Sequence, residues 1–220
     1  MRKHYYVVID TETANSLTDP LVYDVGLAVI DRQGNIYETH SFVVRDIYSY
    51  IPDIMQTAYY AKKLPRYQKD IKSGTRTIVS LFEVRRTILD ICKRYNIRAF
   101  MAHNARFDVL SLNTTMRYIT KSKYRYFFPY GYEIWDTLMM ARSTIGKQKK
   151  YKKFCTENGY LCKNGTVRLT AEILYRYITN DIDFSESHTG LEDVLIEKEI
   201  FVKCINQKKK MKRCLYGKKA

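Results

Sequence analysis

Residues 5–9, Tyr-Tyr-Val-Val-Ile, form an unbroken aromatic and β-branched run that stops at Asp10-Thr11-Glu12. Such a run offers no polar face to water, so it predicts a strand buried on both sides, central to a sheet with layers above and below. The acids that end it are confined with it. Side chains along a strand alternate faces, so Asp10 and Glu12 point the same way. Two like charges side by side at the end of an apolar strand repel each other. A divalent cation, which prefers oxygen ligands, would relieve that repulsion. A solvated strand end remains the plainer reading of Asp-x-Glu taken alone.

The polar stretch 11–20 predicts a loop, and residues 21–31 (LVYDVGLAVID) a second strand. Gln33-Gly34-Asn35 is a hairpin-type turn into a third strand at 36–44, antiparallel to the second. Pro52, Pro65 and Gly74 break residues 45–76 into short helices and loops. From Ile78 to Tyr95 apolar residues recur at helical spacing. A strand at 98–104, a helix at 105–119 and a last strand at 132–138 follow. Helices are expected at 136–145, 147–158, 170–179 and 189–206. The expected class is α/β: a mixed five-stranded sheet, a three-strand meander followed by parallel strands, flanked by helices. The 220 residues suffice for one domain, placed at 1–206, with a basic tail at 207–220 expected to fray.

Two further motifs carry acids. In His103-Asn104-Ala105-Arg106-Phe107-Asp108, where the fourth strand becomes a helix, Asp108 falls in the first helical turn. Acids are common there because the helix dipole favours them. His103 reads as structural, and Phe107 as core. In His188-Thr-Gly-Leu-Glu-Asp193, opening the last long helix, Asp193 stands among Leu191, Val194 and Leu195. Burial disfavours a carboxylate in such company unless it is paired or binds metal. Gly190 suggests a flexible junction that would let His188 swing.

Taken in order, these stretches resemble the three exonuclease motifs of the DEDDh family, relatives of polymerase proofreading subunits, oligoribonucleases and tRNA-trimming ribonucleases. VVIDTET, AHNARFD and HTGLEDV match that pattern at all five functional positions, and the resemblance spans residues 5–205. It implies a ribonuclease-H-like fold and 3′-to-5′ hydrolysis of nucleic acid, with nucleoside 5′-monophosphates as products. It also implies two divalent ions, Mg²⁺ or Mn²⁺. Asp10 would bridge both, Glu12 and Asp193 would complete one site, and Asp108 would support the other. His188 would be the general base, a task suited to an imidazole. A sister group carries tyrosine four residues before the last aspartate, where this chain has Thr189. Ribonuclease-H endonucleases take their second acid from a helix rather than from position i+2 of the first strand.

Charge points to the same class of substrate. Lys and Arg exceed Asp and Glu by 15, and the last thirteen residues carry seven of the positive charges. Such a field attracts polyanions, single-stranded DNA or RNA 3′ ends among them, with DNA slightly favoured. Thr13, Ala14 and Asn15, with Asn104 and Phe107, are candidates to line the pocket for the terminal nucleotide. Two aromatic and basic stretches, 59–69 and 123–132, could stack bases and meet phosphates. A separate polymerase or a second copy of the chain is a conceivable partner.

Five cysteines in no metal-ligand pattern read as free thiols of a reducing compartment. With no signal-like start and no apolar run of about 18 residues, a cytoplasmic protein without a membrane span is expected. The competing reading is a non-catalytic nucleic-acid-binding module on the same fold, which would most simply have lost one of the acids.

Overall fold

The computed structural model describes residues 3–58 and 61–216. Its strands are β1 (Tyr5–Ser16), β2 (Asp19–Ile30), β3 (Ile36–Val44), β4 (Thr77–Val79), β5 (Ile97–Ala102), β6 (Glu133–Asp136) and β7 (Cys214–Tyr216). Its helices are α1 (Arg45–Tyr48), α2 (Pro52–Met55), α3 (Leu64–Ser73), α4 (Leu81–Arg94), α5 (Arg106–Thr120), α6 (Thr137–Ser143), α7 (Lys149–Glu157), α8 (Ala171–Thr179) and α9 (Gly190–Ile205). The sheet runs β4-β3-β2-β1-β5-β6-β7. β1, β2 and β3 form the antiparallel meander, and β5 and β6 continue it in parallel with β1. The expected α/β mixed sheet is therefore present, with seven strands among the described residues rather than five.

Alternation along β1 divides the core. Val7 and Ile9 pack with Leu112 and Met116 of α5 on one face of the sheet. Tyr6 and Val8 pack with Val194, Ile200 and Phe201 of α9 on the other. The Tyr6 and Phe201 ring centroids lie 4.8 Å apart. Asp10 and Glu12 inherit the phase of Tyr6 and Val8, and so turn towards α9.

Three expectations change. β1 does not end at the acids but continues to Ser16, because its polar residues pair along the β2 backbone from Glu12↔Asp24 to Ser16↔Asp19. The helix expected from Ile78 begins at Leu81: residues 77–79 form β4 against β3, and Ser80 caps α4 in a reciprocal capping box with Glu83. The segment beyond 207 does not fray throughout. Residues 214–216 pair with β6, and Arg213 lies 4.4 Å from the Trp135 ring.

Candidate active site

A cleft of about 910 Å³ opens beside residues 10–12 of β1. Among the residues that line it are Asp10, Glu12, Asn104, Phe107, Asp108, His188, Asp193 and Glu197. Carboxylate oxygens of Asp10, Glu12 and Asp193 lie within 4.8 Å of one another. Residues 183 positions apart in sequence thus meet through β1 and the first turn of α9.

Asp108 reaches the cleft from α5 and is 4 % exposed. Thr11, which alternation turns away from Asp10 and Glu12, donates its hydroxyl to Asp108 Oδ1 at 2.8 Å. All four acids sit in surroundings that resist their ionised form. Burial raises Asp108 to about 7, and burial with the charge of Glu186 raises Asp193 to about 8. Burial and the charge of Asp193 raise Glu12 to about 9. Asp10, desolvated and beside Glu197 and Asp108, is raised well above the carboxylate range.

The protein leaves part of this cluster unanswered. Asp10 Oδ2, Asp193 Oδ1 and Glu197 Oε2 are buried and have no hydrogen-bond partner among the described residues. Unmade hydrogen bonds on buried carboxylates carry a large desolvation cost. Three carboxylates at this spacing, two of them with an orphan oxygen, fit a divalent cation, which accepts hard oxygen donors and cancels their repulsion. Lys63 alone is a weak substitute: its ammonium bonds the Ser187 carbonyl, although its charge also reaches Glu12 and Asp193.

Two packing devices hold α9 in place. Gly190 is buried against Gly26 of β2, and a Cβ on Gly26 would come within 2.1 Å of the Gly190 carbonyl carbon. Gly190 N–H donates to Asp24 Oδ2 at 2.9 Å. Asp24 also accepts from the Tyr67 hydroxyl at 2.5 Å and pairs with Arg76 at 3.3 Å. Gly190 is therefore a close-contact residue and not the flexible junction expected from the sequence. His188 stands just before it at φ +50°, a left-handed conformation that non-glycine residues seldom adopt. Its Nδ1 lies 3.7 Å from Glu186 Oε2. Burial, then the charge of Lys63, lowers its pKa, so its ring is neutral near pH 7.

The substrate candidates separate. Asn104 and Phe107 line the cleft, and Phe107 is half-buried there, outside the core where the sequence placed it. Thr13, Ala14 and Asn15 do not line it. The β1–β2 register shifts between Glu12 and Thr13, with Tyr23 of β2 as the extra residue. Ala14 packs into the core cluster that includes Leu112 and Met116 of α5, and Asn15 closes the hairpin by bonding Thr57 and the Asp19 carbonyl. His103 is structural, with its ring nitrogens bonded to Thr137 Oγ1 and the Leu169 carbonyl at 3.0 and 2.8 Å.

The aromatic stretches part company too. Tyr59 and Tyr60 lie outside the described residues, and Tyr67 is wholly buried. In the second stretch Tyr124, Tyr126 and Tyr130 are 80 %, 59 % and 97 % exposed. Tyr126 and Tyr130 border a groove of about 550 Å³ that also touches Val109 and Asn113 of α5. Val109 follows Asp108, so groove and cleft flank the same helix turn. The residues that sequence reasoning missed are Glu186, which lines the cleft, and Glu197, one turn beyond Asp193.

No family model matches the sequence, and no curated protein matches it. Its fold does match solved structures. One is the RNase domain of the yeast Pop2 protein, at TM-score 0.54 and 15 % identity over 94 % of this chain and 79 % of that one. Another is S. pombe Pop2p in its Mg²⁺- and Mn²⁺-bound form, at TM-score 0.51 and 14 % identity over 90 % and 81 %. E. coli exonuclease I in complex with a 5cy-dT13 oligonucleotide matches at TM-score 0.53 and 12 % identity over 94 % and 42 %, so this chain spans about two fifths of that protein. At these identities the likeness is one of fold, the ribonuclease-H-like α/β fold of these nucleases. Among the described residues no helix is long and apolar enough to cross a membrane.

Proposed function

We propose that this chain is a metal-dependent 3′-to-5′ exonuclease of the DEDDh type, acting on single-stranded nucleic acid and releasing nucleoside 5′-monophosphates. The observation that carries the proposal is the meeting of Asp10, Glu12 and Asp193 within 4.8 Å, two of them with buried oxygens left unbonded. Asp10, Glu12, Asp108 and Asp193 would hold two Mg²⁺ or Mn²⁺ ions, which when bound would polarise the phosphodiester and ease deprotonation of water.

The chain's own residues supply the rest. His188 borders the same cleft as the carboxylates and is neutral, as a proton acceptor must be. Its left-handed backbone lies two residues before the anchored Gly190, which holds this end of α9 beside the cleft. Phe107 offers the terminal base an apolar wall, and Asn104 a hydrogen-bonding edge. Tyr124, Tyr126 and Tyr130 provide stacking faces for the upstream strand, and no acid interrupts residues 109–132. Nucleic acid is favoured by this surface and by the net charge of +15; DNA is only slightly favoured over RNA.

The test is direct. Single-stranded DNA and RNA labelled at the 5′ end would be incubated with Mg²⁺, Mn²⁺ or EDTA, beside Asp108→Ala. Shortening from the 3′ end that disappears with EDTA and in the variant is the expected result. Strands that are bound but stay intact in every metal would make the chain a binding module instead.

A further inference from the structure

Glu197 stands one turn after Asp193 on the same face of α9, and neither the motif resemblance nor the four-acid set includes it. It is 2 % exposed and lines the cleft. Its Oε1 accepts the His103 backbone N–H at 2.8 Å, while its Oε2 is buried without a partner among the described residues. No ion pair among the described residues involves it. The charges that bear on it come first from Asp108 and then from Asp193 and Glu186, and it is the strongest charged neighbour of Asp10.

A buried glutamate with one bonded and one orphan oxygen is costly unless something completes it. The three oxygens within 4.8 Å already gather Asp10, Glu12 and Asp193 on one side. Towards Asp108 the quartet offers fewer donors, since one oxygen of Asp108 is engaged by Thr11. Glu197 lines the same cleft with an oxygen left unbonded among the described residues. The His103 bond holds Oε1 and leaves Oε2 unengaged.

We infer that Glu197 is a fifth carboxylate of the metal centre, contributing through the oxygen that His103 does not engage. The inference rests on the metal-dependent reading of the cleft. His103 is then a positioning residue for Glu197, acting through its backbone and not through its imidazole.

Mn²⁺ titration by calorimetry tests it on the full chain, with circular dichroism and thermal melting alongside. Glu197→Gln keeps the shape and the acceptor for His103 but removes the charge. The expected result is a folded variant, at least as stable as wild type without metal, whose weaker Mn²⁺ equivalent loses at least tenfold in affinity. Glu197→Asp, which keeps the charge but shortens the reach, should fall between the two. Unchanged Mn²⁺ affinity and stoichiometry in both variants would overturn the inference and leave the exonuclease reading standing. A wild-type chain that takes up no Mn²⁺ would overturn both.

Discussion

Gly26 lies opposite Asp10 in the β1–β2 ladder, and its backbone touches that of Gly190 at the head of α9. The two glycines thus set the separation between the strand that carries Asp10 and the helix that carries Asp193. A side chain on either would enter the facing backbone, which cannot rotate away.

Gly190→Ala should therefore do two things at once. A Cβ there would come within 2.5 Å of the Gly26 nitrogen. Overpacking against backbone should cost roughly 3 kcal/mol, measurable by urea unfolding. It should also weaken Mn²⁺ binding by pushing Asp193 from Asp10. Loss of stability with metal affinity intact would show that the contact serves packing alone.

Stability should depend on pH in the unusual direction for carboxylates. Asp108, Asp193 and Glu12 hold protons up to about 7, 8 and 9 when folded, but only to about 4 when unfolded. The folded state binds more protons in that window, so the stability present below about pH 4 is lost as pH rises through 9. The melting temperature in EDTA should fall between pH 5 and 9, and Mg²⁺ should raise it most at the alkaline end. A flat profile in EDTA would contradict the burial of these charges.

His188→Ala should lower kcat by about 100-fold or more, the usual scale for a positioned base. Because its folded pKa is depressed, the acid limb of the wild-type rate profile should lie below pH 6.5. The variant should lose that limb while still binding Mn²⁺. Retention of the limb would assign it to another group.

Replacing Tyr124, Tyr126 and Tyr130 together by Ser should weaken binding of a long oligothymidylate, read by fluorescence anisotropy. Stacking is worth about 1–3 kcal/mol per base, so the loss should reach at least tenfold. Hydrolysis of a dinucleotide, too short to span cleft and groove, should continue. Equal affinity for the long strand would leave the exposed tyrosines without a role in binding it.

The central strand and its acids were legible because the period of a strand fixes which residues share a face, and Tyr6, Val8, Asp10 and Glu12 obey it. The bulge opposite Glu12 and Thr13 was not legible, nor was the position of Ala14 and Asn15 away from the cleft. Nothing in the tripeptide Thr13-Ala14-Asn15 announces a register shift that arises from pairing with β2. Glu197 was hidden differently. It stands among Glu192, Lys198 and Glu199, and only the phase of α9 relative to Asp193 separates the buried acid from exposed ones. Asp24 did carry a signal, a lone acid inside the apolar run of β2, and its burial beneath Tyr67 and Arg76 is the answer to it. The short strands β4 and β7 have three residues each, too few for any periodicity to show.

β7 also has a bearing on colloidal behaviour. Without Cys214–Tyr216, β6 would present open amide and carbonyl groups along one margin of the sheet. Such a margin recruits other chains by adding strand to strand. The lysines and Arg213 that lead into β7 put like charges beside that margin, so two molecules approaching edge to edge would repel before they could pair. The short strand and its basic lead thus act as a guard against self-association.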